Sequence, residues 1–496
     1  MAVDHGSVVQ PSAPEILNDD SFPGPFEGPE KLLEVWFAPS PAMMEARMRA
    51  AGKPSSAVRE DGTRVRGLRC VPRAQWEEML DIVKCKVLSV VQGEELDSYL
   101  LSESSLFVYP HYIILKTCGT TLNLHGLGRI NAIVAEHCGL DSQWRLFYSR
   151  KSFFFPELQK GPHREWSHEV EFLESGASGH GYDGNAYYVG PINRDHWVLY
   201  LTSPDDSVLE GLEEAAPAAS AEAVERPLQL PPPSGFCDQT LEILMTHLRP
   251  EGREPFFVPA GVEKTGHELG VDISRQLGID ALFSPDETSL DSFGFEPCGY
   301  SANAVIGTGL PESNGGYFTI HVTPEEGWSF ASFECNVPLP AMSPSAWASQ
   351  SGSPDKAAPL AIANGNGKEA NGANGANGAN GHEKAANGFA AQANGQGAAR
   401  PDLRSLISRV VDIFQPNRFS VTLFVSTEND TSSADAIPTD ILGRSFTRRD
   451  KIGYEFEGYD LVFACFERKG WKEPKKPASA AGSMAGSVAS IKALES

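Results

Sequence analysis

This 496-residue chain has no C-x-x-C pair; its eight cysteines, at 70, 85, 118, 138, 237, 298, 335 and 465, are scattered. That spacing excludes a zinc ribbon and a dense disulfide framework, and reduced thiols in a cytoplasmic protein fit it best. Positive charge is scarce as well. With 41 basic against 65 acidic residues, a formal charge of -24, the chain lacks the positive surface that a general nucleic-acid or anionic-membrane binder needs. A cationic ligand suits that balance. No apolar run approaches the roughly 18 residues of a membrane span, and the opening MAVDHGSVVQPSAPEILNDD has no basic region followed by an apolar one. The reading is a soluble, untargeted, cytoplasmic protein with neither nucleic acid nor membrane as partner.

The length allows two or three average domains, or one large domain carrying inserts. Residues 1–22 are polar and proline-rich and read as a disordered leader, with structure beginning near Phe26. Residues 205–235 mix acid, alanine and proline between two patterned segments, as a solvated loop insertion does. From 339 to 400 the chain turns to Ala, Asn, Gly and Ser, with Ala-Asn-Gly triplets around 370–381. Asn-Gly often marks a hairpin, but no alternating apolar strands flank these copies, so disorder is the expectation. The tail at 473–496 has the same character. Residues 23–338 and 401–472 are left to form a single globular unit.

Within that unit, β-branched and aromatic residues mark strands at Ile113–Leu115, Val198–Thr202, Tyr317–Thr323, Trp328–Glu334, Val421–Ser426 and Tyr459–Phe466. Apolar residues at helical spacing predict helices at Pro29–Phe37, Gln239–Leu248 and Leu403–Phe414. Strands and helices in separate runs favour an α+β fold over a wound parallel sheet.

The stretch Tyr99 to Gly119, YLLSESSLFVYPHYIILKTCG, sets a Glu-Ser-Ser inside an apolar run, fourteen residues before a lone cysteine. By itself Glu-Ser-Ser reads as a polar turn between two strands. A strained turn at that point aims the Ser104 hydroxyl at the carbonyl of Glu103, a geometry that permits an N-to-O acyl shift, chain cleavage and conversion of Ser104 to a pyruvoyl group. Around it stand FEGPEKLLEVWF at 26–37, LKTCGTT at 115–121, FYSRKSFFFPE at 147–157, DQTLEILM at 238–245, EPCGYSAN at 296–303 and YFTIHVTPE at 317–325. With these blocks in this order, from about Phe26 to about Arg468, the chain resembles the eukaryotic S-adenosylmethionine decarboxylases.

The resemblance implies a four-layer αββα sandwich, two antiparallel sheets face to face with helices outside. It implies cleavage between Glu103 and Ser104, and a pyruvoyl cofactor made from Ser104, with no pyridoxal phosphate and no metal. A pyruvoyl ketone forms a Schiff base with the substrate amine and takes up the electrons freed when carbon dioxide leaves. It also implies that His321, on the polar face of an alternating strand, is the processing base, and that Ser301 stabilises the processing intermediate. Cys118 then reprotonates the substrate α-carbon, and Glu27 and Glu30 act near the cleavage centre. Phe26 and Phe295 match the adenine-stacking pair and Glu325 the ribose ligand. Read without it, His321 is a hydrogen-bonded structural residue, Cys118 a small core residue and Glu30 a helix-start carboxylate.

A second acidic set, Glu34, Asp238, Glu242 and Glu334, matches with Thr240 and Lys116 the region where putrescine activates animal and fungal relatives. Leu32 stands where the plant type carries a built-in basic residue, so the resemblance implies putrescine stimulation. It also implies a homodimer of processed chain pairs. The product it implies is the aminopropyl donor for spermidine and spermine. The rival reading is a non-catalytic paralogue that activates a decarboxylase partner; such proteins lose the cleavage serine or the processing histidine, and Ser104, Cys118, Ser301 and His321 speak against it. No G-x-S-x-G elbow surrounds Ser104, which disfavours a serine hydrolase.

Overall fold

The computed structural model describes residues 3–4, 26–176, 181–210, 212, 238–307, 316–339, 400–426, 445–456 and 458–473. Most of the expected leader, of the 205–235 loop, of the 339–400 insert and of the tail lies outside the described residues. One short piece departs from the expectation that structure begins near Phe26: Val3–Asp4 pairs with Val90 and Val91 as an edge strand.

Among the described residues, seventeen strands build two antiparallel sheets. The nine-stranded sheet runs, edge to edge, Val3–Asp4, Val87–Gln92, Asp97–Leu101, Ser105–Val108, Tyr112–Thr117, Lys31–Trp36, Arg145–Lys151, Trp197–Thr202, Gly184–Val189. The eight-stranded sheet runs Thr288–Gly294, Tyr300–Ile306, Gly316–Thr323, Phe330–Cys335, Gln239–Leu248, Pro416–Ser426, Tyr459–Arg468, Phe446–Phe456. Three apolar layers hold them. Outside the first sheet, Leu33, Val35, Leu106 and Leu115 pack with Met44, Trp76, Ile130 and Leu173 from four helices. Outside the second, Ile243, Ile320 and Phe333 pack with the helices Gly266–Leu277 and Leu403–Phe414. Between the sheets lies an aromatic layer that includes Trp36, Phe107, Tyr112, Phe147, Tyr317 and Phe463. The fold is the α+β, four-layer αββα sandwich.

The helix Leu403–Phe414 forms as the pattern predicts. Asp402 caps it by accepting from the Ser405 N–H at 2.9 Å, and all six apolar residues of the stripe are buried. Each such side chain is worth about 1.5–3 kcal/mol. The other two expected helices are strands, Lys31–Trp36 and Gln239–Leu248. The reason is physical. In KLLEVW, Leu33 and Val35 face the helices, while Trp36 joins the aromatic layer and Leu32 packs against it. A strand buried on both faces carries apolar residues at 32, 33, 35 and 36, which imitates helical spacing. In QTLEILMTHL, Leu241, Ile243 and Met245 face outward, and Thr240 and Glu242 line the space between the sheets. The true period was two.

Candidate active site

Alternation on both sheets aims polar side chains into the space between them. In the first sheet Leu106, Val108, Ile113 and Leu115 point to the helices, so Ser105 and Lys116, directly opposite one another in register, point inward. In the second sheet two rows cross the strands. Ser301, His321 and Ser332 form one, and Asn303, Thr319, Glu334 and Glu242 the next.

Ser104 ends the tight turn joining Asp97–Leu101 to Ser105–Val108, closed by the Leu101 N–H donating to the Ser104 carbonyl at 3.0 Å. Glu103, just before it, has φ 54°. A residue with a Cβ in that left-handed region stores about 1 kcal/mol or more of strain, here beside the Glu103–Ser104 amide. The Ser104 hydroxyl is buried, accepts from the Cys118 N–H at 3.3 Å and lies 3.8 Å from Cys118 Sγ. Burial, with Glu103 and Glu30 nearby, pushes the Cys118 thiol well above its ordinary range.

His321 is enclosed and donor and acceptor groups surround its ring. Nδ1 lies 3.0 Å from Ser301 Oγ; Nε2 lies 2.9 Å from Ser105 Oγ and 3.1 Å from Thr319 Oγ1. Ser105 donates its one hydroxyl proton to Asn303 Oδ1 at 2.7 Å, so toward the histidine its oxygen accepts from Nε2–H. The network thereby assigns the Nδ1 lone pair to the Ser301 side. Burial, then Lys116, hold the imidazole well below its usual range and therefore neutral, the state a base requires. Ser105, Asn303, Thr319 and Ser332 are absent from the sequence reading; the one signal for Thr319 was its place on the His321 face.

Glu30 joins this cluster. Its Oε1 accepts from Ser332 Oγ at 2.9 Å and stands 4.0 Å from His321 Nε2, and its Oε2 is 3.3 Å from Lys116 Nζ. Burial raises its carboxyl to about 7, with Lys116 opposing. The Lys116 ammonium also meets Glu334 at 2.7 Å and Glu242 at 3.4 Å. Glu242 and Glu334 are cross-strand partners, a like-charge pairing that a cation between them relieves. Burial pulls Lys116 down, but its three carboxylates outweigh that and hold it charged.

The Glu27 carboxylate accepts from the Phe154 and Phe155 N–H groups at 2.8 and 2.7 Å, and its backbone carbonyl accepts from the Gly119 N–H at 3.0 Å. Burial raises it to about 7. Gly28 precedes the strand because a Cβ there would sit 2.5 Å from Phe330. The Phe26 N–H donates to Glu325 Oε2 at 3.2 Å, and the Phe26 ring covers Gly119. Burial, then Glu325, raise the Glu103 carboxyl to about 7, so these two acids face one rim. Phe295 lies over Gly299, in a loop whose Cys298 thiol is raised to about 11 by burial, Glu325 and Glu103. That loop meets the same rim.

The second acidic set also comes together. Glu34, Asp238, Thr240, Glu242 and Glu334 line a cavity of about 50 Å³ between the sheets, with Leu32 in its wall. Burial, then Asp238, raise Glu34 to about 8; burial raises Glu242 to about 7 against Lys116. Trp36 Nε1 donates to Glu34, and the Tyr459 hydroxyl donates to Asp238 Oδ2 at 2.5 Å. Arg145, missed in the sequence, lays its guanidinium over the cavity rings Phe147 and Tyr459 at 4.8 and 5.0 Å. Lys116, bridging Glu242 and Glu334 to Glu30, connects the cavity to His321.

Residues 24–348 and 389–467 match the family model described as adenosylmethionine decarboxylase. The S-adenosylmethionine decarboxylase proenzyme of Xenopus laevis is 32% identical over 445 residues, 89% of this chain and 95% of that protein. The proenzyme of Saccharomyces cerevisiae is 29% identical over 469 residues, covering 90% and 93%. That of Caenorhabditis elegans is 38% identical over 314 residues, covering 63% and 69%. The chain is an enzyme and belongs to the adenosylmethionine decarboxylase family.

Proposed function

We propose that the protein cleaves itself between Glu103 and Ser104 and, with the pyruvoyl group so made, decarboxylates S-adenosylmethionine to the aminopropyl donor used for spermidine and spermine. The observation that carries this reading is the left-handed Glu103 immediately before a buried Ser104, within one polar cluster with a neutral histidine. The residues fit formation of the group. Ser104 Oγ bonds to the Glu103 carbonyl carbon, the amide C–N bond breaks, and the hydroxyl proton passes to the nitrogen, leaving an ester and relieving the turn. Loss of the residue-104 α-proton to His321 then expels the Glu103 carboxylate by breaking Cβ–Oγ. Water hydrolyses the resulting enamine, through its imine, to a ketone and ammonia. Ser301 meets His321 Nδ1 with its one hydroxyl proton at rest; turning that proton to the transient oxyanion stabilises it and frees the Nδ1 lone pair to act as base.

When present, the pyruvoyl ketone accepts the electron pair released with carbon dioxide. The chain's own residues supply the rest. Cys118 holds a proton at Sγ, since burial disfavours the thiolate, and delivers it to the substrate α-carbon. Phe26 and Phe295 offer ring faces to adenine, and Glu325 a carboxylate to the ribose. Intact mass under denaturing conditions, with carbon dioxide release measured on the same sample, tests the reading: fragments of 103 and 393 residues (496 minus 103) are expected. A single intact chain that releases carbon dioxide would refute the self-cleavage.

The inter-sheet cavity suits a small diamine such as putrescine, whose two ammonium groups compensate its crowded carboxylates. Binding then depends on pH with a definite sign. With Glu34 raised to about 8 and Glu242 to about 7, these groups are neutral below that range and ionise as pH rises through it. A diamine stays doubly charged throughout. Its half-activating concentration should therefore decrease as pH rises from 6.5 to 8, by at most about tenfold per pH unit for each carboxylate still below its own pKa. Titrations of activity with putrescine at three pH values check this; a concentration that rises with pH contradicts it.

A further inference from the structure

Lys31 opens the strand Lys31–Trp36 and is wholly enclosed. Unlike Lys116, it has no ion-pair partner among the described residues. Its Nζ donates to the Gly119 carbonyl at 2.9 Å and to Gln159 Oε1 at 3.5 Å, and stands 5.3 Å from the Phe153 ring. Burying a cation without a contacting carboxylate is costly, and a methionine of similar volume would fill the space without that penalty. Packing alone gives no reason for a charge there. The reason lies in what the ammonium holds.

The Gly119 peptide is gripped on every side. Its N–H donates to the Glu27 carbonyl at 3.0 Å, its carbonyl accepts from Lys31 and from Gln159 Nε2 at 3.3 Å, and its left-handed Cα, φ 60°, lies beneath Phe26. The preceding residue is Cys118, whose N–H and thiol both face Ser104 Oγ. We propose that Lys31 is a positioning residue for this site: its ammonium clamps the Cys118–Gly119 turn and so holds the Cys118 N–H and thiol against residue 104 during cleavage and during proton delivery. The proposal rests on the decarboxylase reading for its second half only.

The clamp depends on the lysine's charge. The titratable and charged groups that face it are Glu27 before its strand, Cys118 and Cys85 at the site, Arg150 on the adjacent strand, His163 in the turn Gly161–Arg164 and Glu169 on the helix Trp166–Glu174. Burial lowers Lys31 to about 8, with Cys118, Glu169 and Glu27 opposing. The charged clamp is complete below that pH and is lost as pH rises through it.

The test compares wild-type, Lys31→Met and Lys31→Arg proteins from pH 6.5 to 9, following chain conversion by intact mass and carbon dioxide release as kcat and KM, with thermal melts to confirm folding. In Lys31→Met, cleavage and kcat should each fall by about tenfold or more while KM stays within about threefold, as for a reacting group displaced by a fraction of an ångström. The wild-type fall-off near pH 8 should vanish in Lys31→Arg, which restores most of the rate because a guanidinium does not titrate there. A Lys31→Met protein within about twofold of wild type at every pH overturns the proposal. So does a Lys31→Arg protein that keeps the fall-off near pH 8, which decides the matter should Lys31→Met not fold. Wild-type protein that cleaves without releasing carbon dioxide refutes the decarboxylase reading, and the cleavage rates alone then judge Lys31. A wild-type chain that never cleaves sinks both.

Discussion

Replacing Ser104 by alanine should leave one intact 496-residue chain that releases no carbon dioxide. The substitution removes the hydroxyl that the proposed acyl shift requires, and without cleavage no ketone forms. It should do little to the fold. Ser104 is buried, and its hydroxyl's bond from the Cys118 N–H is worth about 1 kcal/mol, so a melting temperature only a few degrees lower is expected. The neighbouring serine does not substitute. Ser105 Oγ is committed to Asn303, Thr319 and His321, and the amide before it enters a regular strand without a left-handed residue. Intact mass is again the measurement. Fragments of 103 and 393 residues (496 minus 103) from the Ser104→Ala protein would remove the serine from the chemistry.

Legibility in the sequence followed burial. The strand Gly316–Thr323 was readable because one face meets helices and the other a polar cluster, so Phe318, Ile320 and Val322 alternate with Thr319 and His321. Leu403–Phe414 was readable because a helix packed on one side keeps a single apolar stripe. Lys31–Trp36 and Gln239–Leu248 misled because each lies at the centre of its sheet, and a central strand of a four-layer sandwich has no solvent face to stay polar.

The site divides along a similar line. Of the residues carried by the resemblance, Ser104 meets Cys118, and Ser301 and Glu30 lie about His321, while the Glu27 carboxylate is spent on the backbone at 154 and 155. The supporting residues did not show. Ser105 meets Asn303 and His321 from strands about 200 residues away, and no local pattern signals such a pairing. Nothing in the sequence marks Lys31, which follows Glu30 as an ordinary lysine. Its meaning comes from being closed in beneath Gly119, a property of packing that spacing does not express.

Replacing His321 by alanine should arrest the reaction midway rather than prevent it. The acyl shift needs Ser104 and the strained turn, both of which remain, whereas expulsion of the Glu103 carboxylate needs a base for the residue-104 α-proton. An ester at residue 104 would then exchange with the amide, favoured by release of the left-handed Glu103 conformation. In denaturing buffer the chain should look intact after times that fully convert wild type. Hydroxylamine, which cleaves esters far faster than amides, should split it at 103/104 and leave a hydroxamate on Glu103. The fold survives at a cost of about 1–3 kcal/mol, since the hydroxyl of Ser301 is left without its partner in the enclosed layer while Ser105 keeps Asn303. The pH dependence of cleavage tests the same assignment. Because burial holds His321 well below its ordinary range, the base is already neutral in mildly acidic solution, so wild-type cleavage should not fall off at the usual imidazole pH near 6.5. A His321→Ala protein that converts at the wild-type rate, or one that hydroxylamine leaves whole, would take the base role from this residue.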